Sequence, residues 1–251
     1  MPSLSHNPLR PFWARFFSFH ARFGLGLMVL FCVPRFLLVL EANRSGSYQY
    51  ISLVMVLSAL TPFVLLNRAG RREAGLQKPV RYGMLMYALP AGIAFSLLLY
   101  GAGVLLYGDT VQNWYVYIAR TYPIPEGIAG QEKLVYFLLF SVPGMLFSPI
   151  GEEFFFRGVA HAAMARSWGE RRASLADSLA FALTHIAHFG LVYTDGRFRF
   201  LFVPALLWVT GMFFASRLFF AFKQATGSLA GAVLAHAGFN LGMTFSIFYL
   251  L

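Results

Sequence analysis

Charge is what this sequence has least of. Asp, Glu, Lys and Arg make up 12% of its 251 residues, about half the share found in an average soluble domain. So few charges cannot cover the surface of an ordinary soluble enzyme of 28.1 kDa. Cysteine is nearly missing as well. Cys32 stands alone in an apolar run, which rules out an intramolecular disulfide and a cysteine zinc cage. There is no Gly-rich phosphate loop, no low-complexity tract and no repeat of fixed period. What is present in excess is apolar: 58% hydrophobic residues, 18% aromatic, and a mean hydropathy of +0.63. Such a chain is not disordered. Its 20 Lys+Arg against 10 Asp+Glu would suit a nucleic-acid binder only in a far more polar protein. The composition implies an all-α, polytopic membrane protein with the lipid bilayer as its surroundings and no nucleic-acid partner.

A membrane span takes about 20 mostly apolar residues. Seven regions qualify: 23–40, 47–67, 82–107, 134–165, 173–190, 200–222 and 228–251. The segment before Phe23 is basic, but no small-residue cleavage site follows and Arg35 interrupts the run, so a retained first span is expected. The fourth region is too long for one straight span. Pro143-Gly144 and Ser148-Pro149-Ile150-Gly151 predict a break there, with a fresh helix near Gly151. The aromatic residues Trp114, Tyr115, Tyr117 and Tyr122 suit a loop at the membrane interface. The expected architecture is a bundle of about 7–8 spans. Residues 1–133 carry the N-terminal helices and this interfacial loop, and residues 134–251 the functional core, within one membrane unit.

Loop charge sets the orientation. With a cytoplasmic N-terminus, Arg10, Arg15, Arg22, Arg68, Arg71, Arg72, Lys78, Arg81, Arg166, Arg171, Arg172 and Lys223 lie inside, and Arg44, Arg120, Lys133, Arg197 and Arg199 outside. Twelve against five satisfies the positive-inside rule.

Three polar clusters interrupt the apolar segments, where ionisable groups are costly and usually functional. In Glu152-Glu153-Phe154-Phe155-Phe156-Arg157, Glu153 and Arg157 are i,i+4 partners, while Glu152 is rotated about 100° away and left to face something else. A second cluster places His185 four residues after Phe181, with His188 following as an interior residue. Nearby, Ser174 and Asp177 read as a capping box opening the fifth span. The third sets His236 and Asn240 on one face of a helix that also carries Gly231, Gly238 and Gly242, a small-residue stripe for close helix packing. Arg35 and Arg217 receive no role.

Together the clusters hold an acid, two histidines and a carboxamide, with no evident Ser or Cys nucleophile and no HExxH signature. Hydrolysis by an activated water is the simplest chemistry: Glu152 as general base, His185 orienting the water, His236 and Asn240 donating to an oxyanion. Three other uses of the same residues stay open. Glu152, His185 and His236 could ligate zinc, the protein could be a non-catalytic scaffold or immunity partner, or a buried Glu and His could relay protons in a transporter, although a transporter would be expected to show an internal repeat.

On these motifs the sequence resembles the CPBP family, the CAAX-protease and bacteriocin-processing (Abi-type) membrane proteins. EExxxR is matched by Glu152, Glu153 and Arg157, FxxxH by Phe181 and His185, and HxxxN by His236 and Asn240, in the family's order, within residues 134–251. The resemblance implies about eight helices around a CAAX-protease-like core and a metal-independent glutamic intramembrane endopeptidase needing no cofactor. Glu152 and His185 would activate water, His236 and Asn240 would form the oxyanion site, and Glu153, Arg157 and Phe181 would support them. The implied partner is a membrane-tethered protein or peptide. Seventeen Arg against three Lys suits a high-GC bacterial genome and therefore a bacterial inner membrane. In that setting a peptide leader or C-terminal sorting tail is expected rather than a prenylated substrate.

Overall fold

The side chains pointing outward are the apolar ones. Leu30 and Leu37 on one helix, Leu98 and Leu105 on another, and Leu139 and Leu146 on a third are all well exposed, while Glu152, Glu153 and Arg157 are buried. This inversion of a soluble protein's layout is what a lipid solvent selects, since helices satisfy their own backbone and turn hydrocarbon outward. The computed structural model describes residues 7–125 and 127–251.

After a short helix α1 (Pro11–Ala14), the long helices α2 (Ala21–Ser45) and α3 (Gln49–Leu65) form a hairpin. A surface turn α4 (Arg68–Glu73) leads to α5 (Leu85–Tyr107), the short α6 (Trp114–Ala119) and α7 (Gly130–Glu153). A π-helical segment, Phe154–Ala160, joins α7 to α8 (His161–Thr184). A β-hairpin of β1 (Leu191–Thr194) and β2 (Arg197–Phe200) precedes α9 (Phe202–Thr226) and α10 (Leu229–Tyr249). Five stretches are long and apolar enough to cross a membrane, and α3 is a shorter apolar helix. The longest stretch, Gly130–Ala187, turns back on itself at Gly169, whose φ of 77° and ψ of 162° suit a residue without a Cβ. With that turn and α3 counted, seven long legs alternate in direction, in agreement with the expected helical bundle.

Four expectations need correction. No break falls at Pro143-Gly144 or Gly151, because α7 runs through both prolines to Glu153; membrane helices tolerate proline where neighbours supply hydrogen bonds. The irregularity comes later, as the π segment and the Gly169 turn. The aromatic residues of α6 are not an interfacial fringe either. Trp114, Tyr115 and Tyr117 are buried, with Trp114 6.2 Å from Trp208 and 6.1 Å from Phe189 between ring centroids. Ser174 and Asp177 form no capping box. Asp177 instead bonds His161 Nδ1 at 2.6 Å, and Ser174 takes a hydrogen bond from Arg217. Finally, residues expected to form a plain loop pair as a hairpin, turning through Asp195 (φ 52°) and Gly196 (φ 75°).

Helix packing brings the third polar cluster inward. A Cβ on Gly238 would overlap the Leu89 carbonyl, and one on Gly92 would overlap the Ala235 carbonyl, so α5 and α10 meet backbone to backbone. That contact fixes α10 with His236 turned to the bundle interior, where it is 3% exposed.

Candidate active site

Six helices enclose a cavity of about 500 Å³, and Glu152, Phe181, His185, His236 and Asn240 all line it. The π segment begins one residue after Glu153, and such irregular turns inside helices often mark functional positions. Glu152 and Glu153, adjacent in sequence, diverge into two different networks.

Glu152 is 2% exposed. Its Oε1 accepts from Arg35 Nη2 at 2.9 Å and from Ser148 Oγ at 2.6 Å. Its Oε2 has no hydrogen-bond partner in the protein and lies 3.9 Å from His185 Nε2. The sequence suggested an acid without a counter-charge, and the structure corrects this. Arg35 comes from α2, 117 positions earlier, and reaches across the bundle to it. A cation in the middle of α2, with no acid three or four residues away on its own helix, was the available signal.

Glu153 serves the other network. Its Oε1 accepts from Arg157 Nη1 at 3.1 Å and from His236 Nδ1 at 2.8 Å. The expected i,i+4 pair is therefore present, and His236 joins it. The Arg157 guanidinium lies 4.4 Å from the Phe181 ring centroid and 5.6 Å from that of Phe219, so aromatic faces share in holding its charge. Phe219 also stacks on His236, 4.6 Å between centroids and 11° between planes. Phe219 carried no motif and went unnoticed in the sequence.

The ring nitrogens can be assigned from their partners. A carbonyl oxygen only accepts, so His185 Nδ1, 2.7 Å from the Phe181 carbonyl, carries the proton. In the neutral ring, Nε2 then presents a lone pair toward Glu152. By the same logic His236 donates Nδ1–H to Glu153 and presents Nε2 to the cavity. Asn240 donates one N–H to the Gly144 carbonyl at 2.8 Å and keeps a second donor. His188 is not a detached interior residue. It lines the same cavity, its ring 5.3 Å from that of His185.

At the cavity mouth stand Gly46, Tyr48, Thr121, Tyr122 and Pro123. Burial pushes the Tyr48 phenol up to about 12 and raises that of Tyr122, so both stay neutral hydroxyls around pH 7. Among the described residues no three His, Cys, Asp or Glu side chains converge as metal ligands do. A cation at Glu152 would also meet the Arg35 guanidinium. The residues do not fit a zinc site of Glu152, His185 and His236.

A second buried group lies outside the cavity. His161 joins Asp177 at 2.6 Å and Glu170 at 3.0 Å, and Lys223 donates to the Arg157 carbonyl at 2.6 Å. It braces the irregular turn against α8 and α9.

Residues 134–242 match the family described as Type II CAAX prenyl endopeptidase Rce1-like. No curated protein and no solved structure matches the chain.

Proposed function

Because residues 134–242 belong to the Rce1-like type II CAAX prenyl endopeptidase family, we propose that the chain is an intramembrane endopeptidase in which Glu152 activates water against a peptide bond. The observation that carries this reading is the pair of inward-facing acceptors, Glu152 Oε2 and His185 Nε2, set 3.9 Å apart. One water oxygen making two hydrogen bonds of ordinary length, about 2.8 Å each, spans that separation at an angle of about 90°. Both its hydrogens would be held by acceptors, leaving an oxygen lone pair free to attack.

The steps balance as follows. Glu152 takes a proton from water while the water oxygen bonds to the scissile carbonyl carbon. The carbonyl electron pair moves onto its oxygen, and the oxyanion accepts from the second Asn240 N–H and from Nε2–H of His236 in its imidazolium form. Glu153 favours that form by accepting Nδ1–H. Collapse of the intermediate breaks the C–N bond, and the proton held by Glu152 passes to the departing amine. Arg35 and Ser148 keep Glu152 Oε1 occupied, so the other oxygen performs the proton transfer. The largely apolar cavity suits a membrane-associated peptide strand.

The test is cleavage of co-expressed, tagged membrane-associated peptides encoded near the gene, read as a mass shift. Glu152→Gln should reduce product by at least about 10²-fold, the scale of general-base catalysis. Full activity in that variant would overturn the mechanism.

A further inference from the structure

We propose that the cavity opens to the extracytoplasmic side of the membrane, so that its substrate is a segment of a translocated, membrane-anchored polypeptide. This rests on the endopeptidase reading for the word substrate, but the direction of opening stands on its own observations.

The two ends of the bundle are distinguishable by what ties them together. At one end, Leu9 bridges Leu66, Arg166 pairs with Glu73, the Leu229 N–H meets the Gly75 carbonyl, and Gln77 reaches the Gly227 carbonyl. At the other, Asn43 bonds the Ala187 carbonyl, Tyr48 bonds Asn43, the Tyr193 N–H bonds Tyr117, and Tyr100 bonds the Leu250 carbonyl. The cavity reaches only the second end. Its mouth consists of the α2–α3 linker at Gly46 and Tyr48 and the segment after α6 at Thr121–Pro123, and none of its lining comes from residues 66–84, 160–172 or 223–230. Below Glu153 the way to the first end is filled by the π segment, Lys223 and the His161–Asp177 pair, all buried.

Charge says which end is which. The twelve basic residues assigned to the cytoplasm all fall at the first, closed end, which carries α4, the Gly169 turn and the α9–α10 turn. The open end holds five: Arg44, Arg120, Lys133, Arg197 and Arg199. Arg44 and Arg199 are paired with Glu41 and Asp195. Basic loops are retained on the cytoplasmic side, so the closed end is cytoplasmic and the mouth faces outward. A peptide tethered to the cytoplasmic leaflet would have no path to Glu152, whereas the tail or juxtamembrane stretch of an exported protein would reach it directly from the mouth.

The experiment uses the full chain in a bacterial inner membrane, with Cys32→Ser removing the single native thiol. Ser47→Cys and Lys78→Cys, both at exposed positions of opposite ends, are treated with a membrane-impermeant maleimide on intact spheroplasts and again after lysis. Ser47→Cys should label in both conditions, and Lys78→Cys only after lysis. Labelling of Lys78→Cys in intact spheroplasts, or of Ser47→Cys only after lysis, overturns the proposal. Arg197→Cys and Arg81→Cys repeat the comparison should either variant fold poorly. In parallel, one tagged peptide is fused to an export signal and the same peptide is anchored on the cytoplasmic face. Processing of the exported form alone supports the proposal, and processing of the cytoplasmic form overturns it. Labelling needs no cleavage, so an active Glu152→Gln variant would refute the mechanism while leaving the orientation result intact.

Discussion

Arg35 offers the sharpest test of the site, because its partner is known to the atom and lies in the other half of the chain. The Arg35–Glu152 pair is nearly sealed from solvent, with side chains 6% and 2% exposed. Two unit charges about 4 Å apart attract by about 4 kcal/mol at an effective dielectric of about 20. Removing one member of a buried pair costs a similar amount, about 3–5 kcal/mol, because the other charge stays behind in the interior. In a chain of this length each kcal/mol moves Tm by about 2–4 °C, so Arg35→Met should lower Tm in detergent by about 6–20 °C. Glu152→Gln should also destabilise, by leaving the guanidinium without its counter-charge. The double variant removes both charges and should recover most of the loss, giving a coupling energy of about 3 kcal/mol in the cycle. Activity behaves differently. Both variants carrying Glu152→Gln stay inactive, and Arg35→Met loses turnover even in its folded fraction, because nothing then reserves Oε1. Arg35→Lys, which keeps the charge but not the planar fork, should retain part of both properties. If the double variant melts at the sum of the two single losses, the pair is uncoupled and the electrostatic account of Glu152 is wrong.

Other outcomes follow from the same geometry. Glu153→Gln removes the carboxylate that orders His236 and should lower turnover by about 10²- to 10⁴-fold, measured as product formed per folded enzyme; unchanged turnover would remove His236 from the oxyanion role. Phe219→Ala should cost about 3–5 kcal/mol of stability and reduce turnover as well, through the lost stack on His236. Asp177→Asn weakens the buried bond to His161 and should lose about 1–3 kcal/mol while the folded fraction keeps its turnover, which separates the brace from the chemistry. Gly238→Leu should fail to assemble because its side chain meets the Leu89 carbonyl, whereas Gly101→Ala, with open space around it, should fold normally; size-exclusion profiles decide. Excess 1,10-phenanthroline should leave cleavage unaffected, and an inhibition reversed by added Zn²⁺ would favour ligation by Glu152, His185 and His236.

What could be read in the sequence was local. The i,i+4 partnership of Glu153 with Arg157, and the separate direction of Glu152, follow from helix geometry alone, and both are present. The helical bundle was legible because a bilayer permits few alternatives. Errors arose where a local rule was outvoted at a distance. Proline predicts a break from its missing N–H, yet α7 continues through Pro143 and Pro149. Asp177 matched a capping pattern, but His161 sixteen residues earlier claimed it. The hairpin had a visible signal in Asp195-Gly196, a favoured two-residue turn, which the surrounding apolar runs obscured. Arg35 could not be assigned without structure. A lone intramembrane cation announces that a partner exists, but nothing in its neighbours says which of the buried acids it will meet.

Chemistry and access are therefore contributed by different parts of the chain. Glu152, His185, His236 and Asn240 lie within residues 134–242, the segment that matches the endopeptidase family. The charge that fixes Glu152 comes from Arg35, and the mouth from Gly46, Tyr48 and Thr121–Pro123, all outside that segment. Changes at Tyr48 or Tyr122 should consequently alter which peptides are cleaved while sparing turnover of a small substrate that bypasses the mouth. Changes at Glu152 should abolish cleavage of both. A Tyr122→Ala variant that loses activity equally toward long and short peptides would show that the mouth supports the catalytic geometry rather than selecting the substrate. That result would move the determinants of specificity down to the apolar walls beside Phe140 and Met243.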